Sequence, residues 1–152
     1  MKSARKVFFV LLVVGLLAAF ALPTFAQLAR TVTITESSIN QTYRVTNSPR
    51  RSVSNLYVDL QPGQAVITAT ITPRSGSAWN VSVTLVPSLS NGRVTWTVAS
   101  ATANGQAATS EQLAQINAAI TSSWRNYVRG QLGTGRVTGI SVTDNAVIIN
   151  VN

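Results

Sequence analysis

The sequence predicts an α+β domain: a curled antiparallel sheet of about six strands packed on one long amphipathic helix. Three observations predict it. Apolar residues between Val53 and Val98 recur with a period of two, the signature of half-buried strands. Between Thr109 and Leu132 the period changes, and Leu113, Ile116, Ile120, Trp124, Tyr127 and Val128 recur at steps of three and four, which is one stripe of a helix. Two further alternating runs follow that helix. Strands grouped on either side of a helix, rather than in strict alternation with helices, argue for antiparallel pairing.

The chain has 152 residues, room for one domain with a core and hardly for two. Residues 1–26 read as a targeting segment. Lys2, Arg5 and Lys6 precede an unbroken run of apolar residues and glycine from Val7 to Leu22, and Pro23 with Thr24-Phe25-Ala26 makes a junction before Gln27. This is the layout of a secretory signal peptide. The competing reading is an uncleaved anchor helix, for which the run is short of the ~20 residues that span a bilayer. Either way the expectation is export, as a secreted or envelope protein, membrane-anchored if the segment stays. Residues 27–152 then form a single domain.

Within that domain Gln27 to Thr33 reads as a lead-in. Thr33 or Thr35 can cap a short helix from about Glu36 to Val45, with Ile39 and Tyr43 on one face and Glu36 in the first turn. Asn47-Ser48-Pro49 ends it. Leu56, Val58 and Leu60 then alternate with Tyr57 and Asp59, and Pro62-Gly63 suits a type II turn. Ala65, Ile67, Ala69 and Ile71 oppose a face of Val66, Thr68, Thr70 and Thr72, and Trp79, Val81, Val83 and Leu85 oppose Asn80, Ser82 and Thr84. Asn91-Gly92 is a strong hairpin signal, and Val94, Trp96 and Val98 alternate beyond it. The four strands should form a meander with one apolar face and one Ser/Thr/Asn face. Ser100 to Ala108 reads as a loop. Thr109 and Gln112 form a capping box for the long helix, whose polar side carries Glu111, Gln115, Ser122, Arg125 and Arg129. Gly130, Gly133 and Gly135 should end it. Arg136–Thr143 and Ala146–Val151 close the chain as a hairpin around Asp144-Asn145.

Composition removes most chemistry. There is no cysteine and no histidine, so disulfides, thiolate sites, and the usual general base and metal ligand are all missing. Both lysines precede residue 27, so a Ser-Lys arrangement cannot be built in the domain. The acids Glu36, Asp59, Glu111 and Asp144 fall one to a segment and offer no carboxylate pair. Asn40-Gln41-Thr42 and Asn80-Val81-Ser82 match a glycosylation sequon, a match common by chance. The expectation is a protein that is not an enzyme, with no catalytic residue, no metal and no cofactor. Nine arginines against four acids in the domain serve solubility, or attract an anionic membrane or cell-wall surface. The arginines are spread along the sequence, which with export argues against nucleic acid.

Two readings of the aromatic residues stay open. Trp79 and Trp96 share the apolar sheet face, and Trp124 and Tyr127 point from the helix stripe. They are plain core, or together with Ile116 and Ile120 they line an apolar groove for a lipid-like ligand. The phrases ITESSIN (Ile34 to Asn40), VDLQPGQAVITATI (Val58 to Ile71), LVPSLSNGRVTWTV (Leu85 to Val98) and VTGISVTDNAVIINV (Val137 to Val151) resemble small exported bacterial domains of the TULIP-like lipid-binding type, the LmeA-like and YpmS-like families. The resemblance implies a curled sheet wrapped on a long helix, with a groove that holds acyl chains. No ligand residue of those families transfers to a position here. The first expectation is therefore an exported domain binding a lipid, another apolar ligand or an anionic envelope surface. The alternative is a structural or interaction domain with a filled core, presenting its Thr-rich face or sheet edges to a protein or polysaccharide. Oligomeric state is not legible.

Overall fold

The structure is a computed structural model and describes residues 29–152; the targeting segment lies outside them. The α+β class holds, with antiparallel pairing throughout, but the strands divide into two sheets instead of one curled sheet. Strand β1 (Arg30–Thr35) leads into helix α1 (Glu36–Thr42), followed by β2 (Arg51–Gln61), β3 (Gln64–Pro73), β4 (Trp79–Ser90), β5 (Arg93–Ala103) and the two-residue β6 (Gln106–Ala107). The long helix then runs as α2 (Ser110–Ile116), a π-helical stretch (Asn117–Thr121) and α3 (Ser122–Leu132), and β7 (Val137–Val142) and β8 (Ala146–Val151) close the chain. Strands β2 to β6 form a meander in sequence order, and β1-β8-β7 form a second sheet.

The second sheet exists because the expected lead-in is a strand. Thr31-Val32-Thr33-Ile34-Thr35 alternates β-branched residues, and it pairs with β8 from Arg30 opposite Val151 to Thr35 opposite Ala146. Thr35 ends the strand and caps α1, its hydroxyl accepting the Ser38 N–H. The small sheet joins the hairpin ends of the large one through two backbone bonds. Gly63 N–H donates to Val142 C=O, and Val137 N–H donates to Gly92 C=O, each at 3.0 Å. Gly63 at φ +80 has the left-handed backbone expected of a type II turn.

Two differences in extent have local causes. The segment Ser100 to Ala108 is not a loop: β5 runs to Ala103, and Asn104-Gly105, both at positive φ, turn it into β6. Ala101 and Ala103 have weak strand preference, but they lie opposite Val83 and Val81, and that pairing decides. Helix α3 runs through Gly130 and stops at Gly133, where φ is +63, and Arg30 reaches across to cap its last turn by donating to Leu132 C=O and to Thr134 C=O.

One core unites both sheets and both helices. Ile39, Val58, Ile67, Ile71, Val83, Leu85, Ile116, Ile120, Trp124, Val147 and Ile149 are all inaccessible to solvent, so the predicted inner faces of β3 and β4 and the helix stripe are those that close together. The predicted capping box of Thr109 and Gln112 is present.

The helices also cover the two edges of the large sheet. On β2, Asn40 of α1 accepts the Val58 N–H through Oδ1 and donates Nδ2–H to Val58 C=O, both at 2.8 Å, and Glu36 accepts the Leu60 N–H at 2.8 Å. On the far side β6 pairs with Thr102 and Ala103, and the rest of that edge of β5 has no strand partner among the described residues. There Arg125 of α3 donates Nε–H and Nη2–H to Trp96 C=O at 3.0 and 2.6 Å. Uncovered edge strands template pairing with other chains, and this fold spends polar side chains to prevent it.

Candidate functional site

The six residues expected to line a groove lie on the inside of this fold. Trp96, Ile116, Ile120 and Trp124 are at most 1% exposed, and Trp79 is 8% exposed. Tyr127 is half-buried. The structure brings Trp96, Trp124 and Tyr127 into one aromatic cluster and adds Tyr43 from the end of α1. Trp124 is its centre, edge-on to Trp96 at 5.2 Å and to Tyr43 at 5.6 Å, and stacked with Tyr127 at 6.0 Å. Trp79 does not belong to it. Trp79 starts β4, whereas Trp96 lies opposite Pro87, about 27 Å further along the strand at ~3.4 Å per residue.

The π-helical stretch sits beside this cluster. Ala119, Ile120 and Thr121 are consecutive buried residues there, a run that a regular amphipathic helix would split between core and solvent. Tyr43 donates its hydroxyl to Ile120 C=O at 3.1 Å, tying α1 to the long helix. Burial pushes the Tyr43 phenol well above the ordinary tyrosine value of 10.0, against a smaller lowering by the Ser123 hydroxyl. Below pH 10 the phenol is neutral in the folded and unfolded chain alike. Above it the unfolded chain ionises while the folded one keeps its proton, so stability falls as pH rises. Tyr57 adds to the same alkaline loss, since the Glu36 carboxylate raises its phenol too. Tyr43→Phe is expected to cost about 0.5–1.5 kcal/mol, the worth of the hydrogen bond to Ile120 C=O that it removes. It should also make the alkaline decline shallower in urea unfolding above pH 10; a slope equal to wild type would refute the assignment.

Two clefts open elsewhere, and none of the six expected residues lines either. The first, about 460 Å³, lies on the outer, polar face of the large sheet over Thr68, Thr70, Asn80, Ser82 and Thr102, with Asn55 at one side and Gly105 at the other. The second, about 390 Å³, lies over the β2 edge between Asn40, Arg44 and Val53–Leu56, and Asn55 is common to both. Asn55 owes this position to a β-bulge. The pairing of β2 with β3 shifts between Ser54 and Tyr57, and Asn55 there has φ +51. The period-two pattern marks this face as polar, but the bulge that shapes the cleft leaves no signature in the order of residue types.

Folding also brings Arg74 beside the sequence neighbours Arg50 and Arg51. Arg51 pairs with Pro73, and Arg74 N–H donates to Arg50 C=O at 2.8 Å, so Arg50, Arg51 and Arg74 meet at one end of the β2–β3 hairpin.

Fold and clefts together define a class: an α+β domain with a packed aromatic core and an open, polar sheet face. Comparison of the chain with protein-family models, characterised proteins and solved structures finds no significant match.

Proposed function

We propose that the chain is a non-enzymatic, exported interaction domain of the cell envelope. Its helix and inner sheet faces serve as a filled scaffold, and its Thr-rich outer sheet face meets a protein or polysaccharide partner. The observation that carries this reading is the contrast between the two faces of the large sheet. On the inner face Ile67, Ile71, Val83 and Leu85 have no exposed surface, while the outer face holds the hydroxyl-lined cleft. An acyl chain entering between sheet and helix would have to displace side chains such as Ile116, Ile120 and Trp124. Each large apolar group so displaced gives up roughly 1.5–3 kcal/mol of burial unless the ligand restores it.

The outer-face reading is tested by Thr68→Arg, which puts a long charged side chain on the cleft floor. In cosedimentation with washed cell envelopes the variant is expected to lose at least about tenfold in apparent affinity, a contact loss of roughly 1.4 kcal/mol, with its unfolding midpoint near that of wild type. Native mass spectrometry is expected to give the bare protein mass. A co-purifying lipid would overturn the reading in favour of an apolar ligand, and envelope binding indifferent to Thr68→Arg would overturn the outer face as the contact.

The meeting of Arg50, Arg51 and Arg74 supports a second reading, attraction to an anionic envelope surface. Such binding would weaken with salt in the way surface charge attraction does, whereas contacts to hydroxyl and amide groups would not.

A further inference from the structure

The outer face of the large sheet is built in rows that run across the strands. Antiparallel pairing sets Tyr57 beside Thr68, Thr68 beside Ser82, and Ser82 beside Thr102. The neighbouring row is a hydrogen-bonded chain. Asn55 donates Nδ2–H to Thr70 Oγ1 at 3.2 Å, and the Thr70 hydroxyl donates to Asn80 Oδ1 at 2.9 Å. The Asn80 N–H then donates to Asn104 Oδ1 at 2.9 Å. Thr68, Ser82 and Thr102 of the first row and Asn55, Thr70 and Asn80 of the second line the larger cleft, with Tyr57 just outside it, and no ionisable side chain among the described residues lines it.

One residue in this arrangement is held in an uncommon backbone state. Among the described residues three non-glycines have positive φ: Asn91 and Asn104 begin two-residue turns, whereas Asn55 lies within a strand at a bulge. Bulges re-aim side chains, and sparsely populated backbone states concentrate at binding sites. Here the re-aimed side chain is the amide that reaches Thr70.

We propose that this cleft binds an uncharged glycan strand lying across β2, β3, β4 and β5. The assignment rests on the interaction-domain reading and names its ligand class. Threonine and serine hydroxyls both donate and accept, and asparagine offers one group of each kind, which suits a ligand whose every unit carries hydroxyls. A cleft with no charge on its walls has nothing to compensate an anion or cation stripped of water. Strands lie ~4.8 Å apart, close to the advance per sugar of an extended β-linked chain, so the four strands accommodate about three sugar units. Tyr57, 51% exposed, ends the first row with an aromatic ring of the kind that packs on the C–H face of a sugar. A peptide would instead seek a sheet edge, and Asn40, Glu36 and Arg125 occupy parts of both edges.

The test is isothermal titration of the protein with cellohexaose, xylohexaose and chitohexaose, with hexagalacturonate as the anionic control. At least one neutral hexasaccharide is expected to bind, and hexagalacturonate is not. The pair Thr70→Val with Ser82→Val keeps strand preference and removes the hydroxyls; it should weaken binding at least about tenfold, equivalent to roughly 1.4 kcal/mol. Asn55→Gly suits the positive φ, so it should weaken binding while leaving the unfolding midpoint unchanged or higher. Absence of binding by all three neutral sugars, equal binding of hexagalacturonate, or variants that bind as wild type would each overturn the proposal. If the sugars fail while Thr68→Arg still abolishes envelope binding, only the ligand assignment falls. If Thr68→Arg also leaves envelope binding intact, the interaction-domain reading falls with it.

Discussion

Trp96→Ala is expected to destabilise the domain by about 3–5 kcal/mol, the range for truncating a buried aromatic side chain. For a domain of this length, each kcal/mol lowers the unfolding midpoint by about 4 °C, so the loss is on the order of 12–20 °C. The indole of Trp96 is 1% exposed and packs edge-on against Trp124, a geometry that adds to the area it buries. Its position also organises the β5 edge, because the carbonyl that Arg125 caps belongs to the same residue. Thermal unfolding followed by tryptophan fluorescence measures the effect. A midpoint that holds, together with lost binding of an added acyl chain, would place Trp96 in a ligand groove instead. Arg125→Ala is the milder companion, since it exposes one carbonyl and leaves the aromatic cluster in place.

Much of this fold is written in residue order. The alternation Ala65, Ile67, Ala69, Ile71 marks an inner face because a strand offers alternate residues to one side, and all four are buried. The helix start is equally legible, since Thr109 and Gln112 must satisfy each other's neighbouring N–H groups whatever else the chain does. The division into two sheets is not. β1 finds β8 more than a hundred residues away, and nothing local in Thr31 to Thr35 specifies that partner. Its threonines also resemble a helix cap, and only Thr35 is one.

The candidate site divides in the same way. Thr68, Thr70 and Ser82 are legible as an outward polar face, because their neighbours Ile67, Ala69 and Val83 claim the core. The cleft on that face depends on Asn55, and the extra residue of a bulge is set by the register of the partner strand. The aromatic cluster was legible from the helix stripe as Trp124 and Tyr127. The part played by Tyr43 required knowing that α1 ends against the π-helical stretch, where the phenol meets Ile120 C=O.

Asn40→Leu should destabilise the domain by about 2–6 kcal/mol and make it self-associate with rising concentration more than the wild type does. The side chain keeps its branched shape and loses both hydrogen bonds to Val58, leaving a part-buried N–H and C=O without partners at roughly 1–3 kcal/mol each. Those two groups belong to the edge strand β2, so the same change offers that edge to a second chain. Asn40→Asp separates the two effects: its carboxylate still accepts the Val58 N–H, while the carbonyl is stranded, and an intermediate loss is expected. Glu36→Gln keeps an acceptor for the Leu60 N–H and should change little. Chemical unfolding together with sedimentation velocity reads stability and association side by side. A monodisperse Asn40→Leu protein with wild-type stability would show that α1 merely lies beside the sheet. The sequon at Asn40 bears on the same point, because a sugar attached to Nδ2 would have to share the amide that donates to Val58 C=O. Glycosylation there would therefore loosen the edge in proportion to what Asn40→Leu reveals.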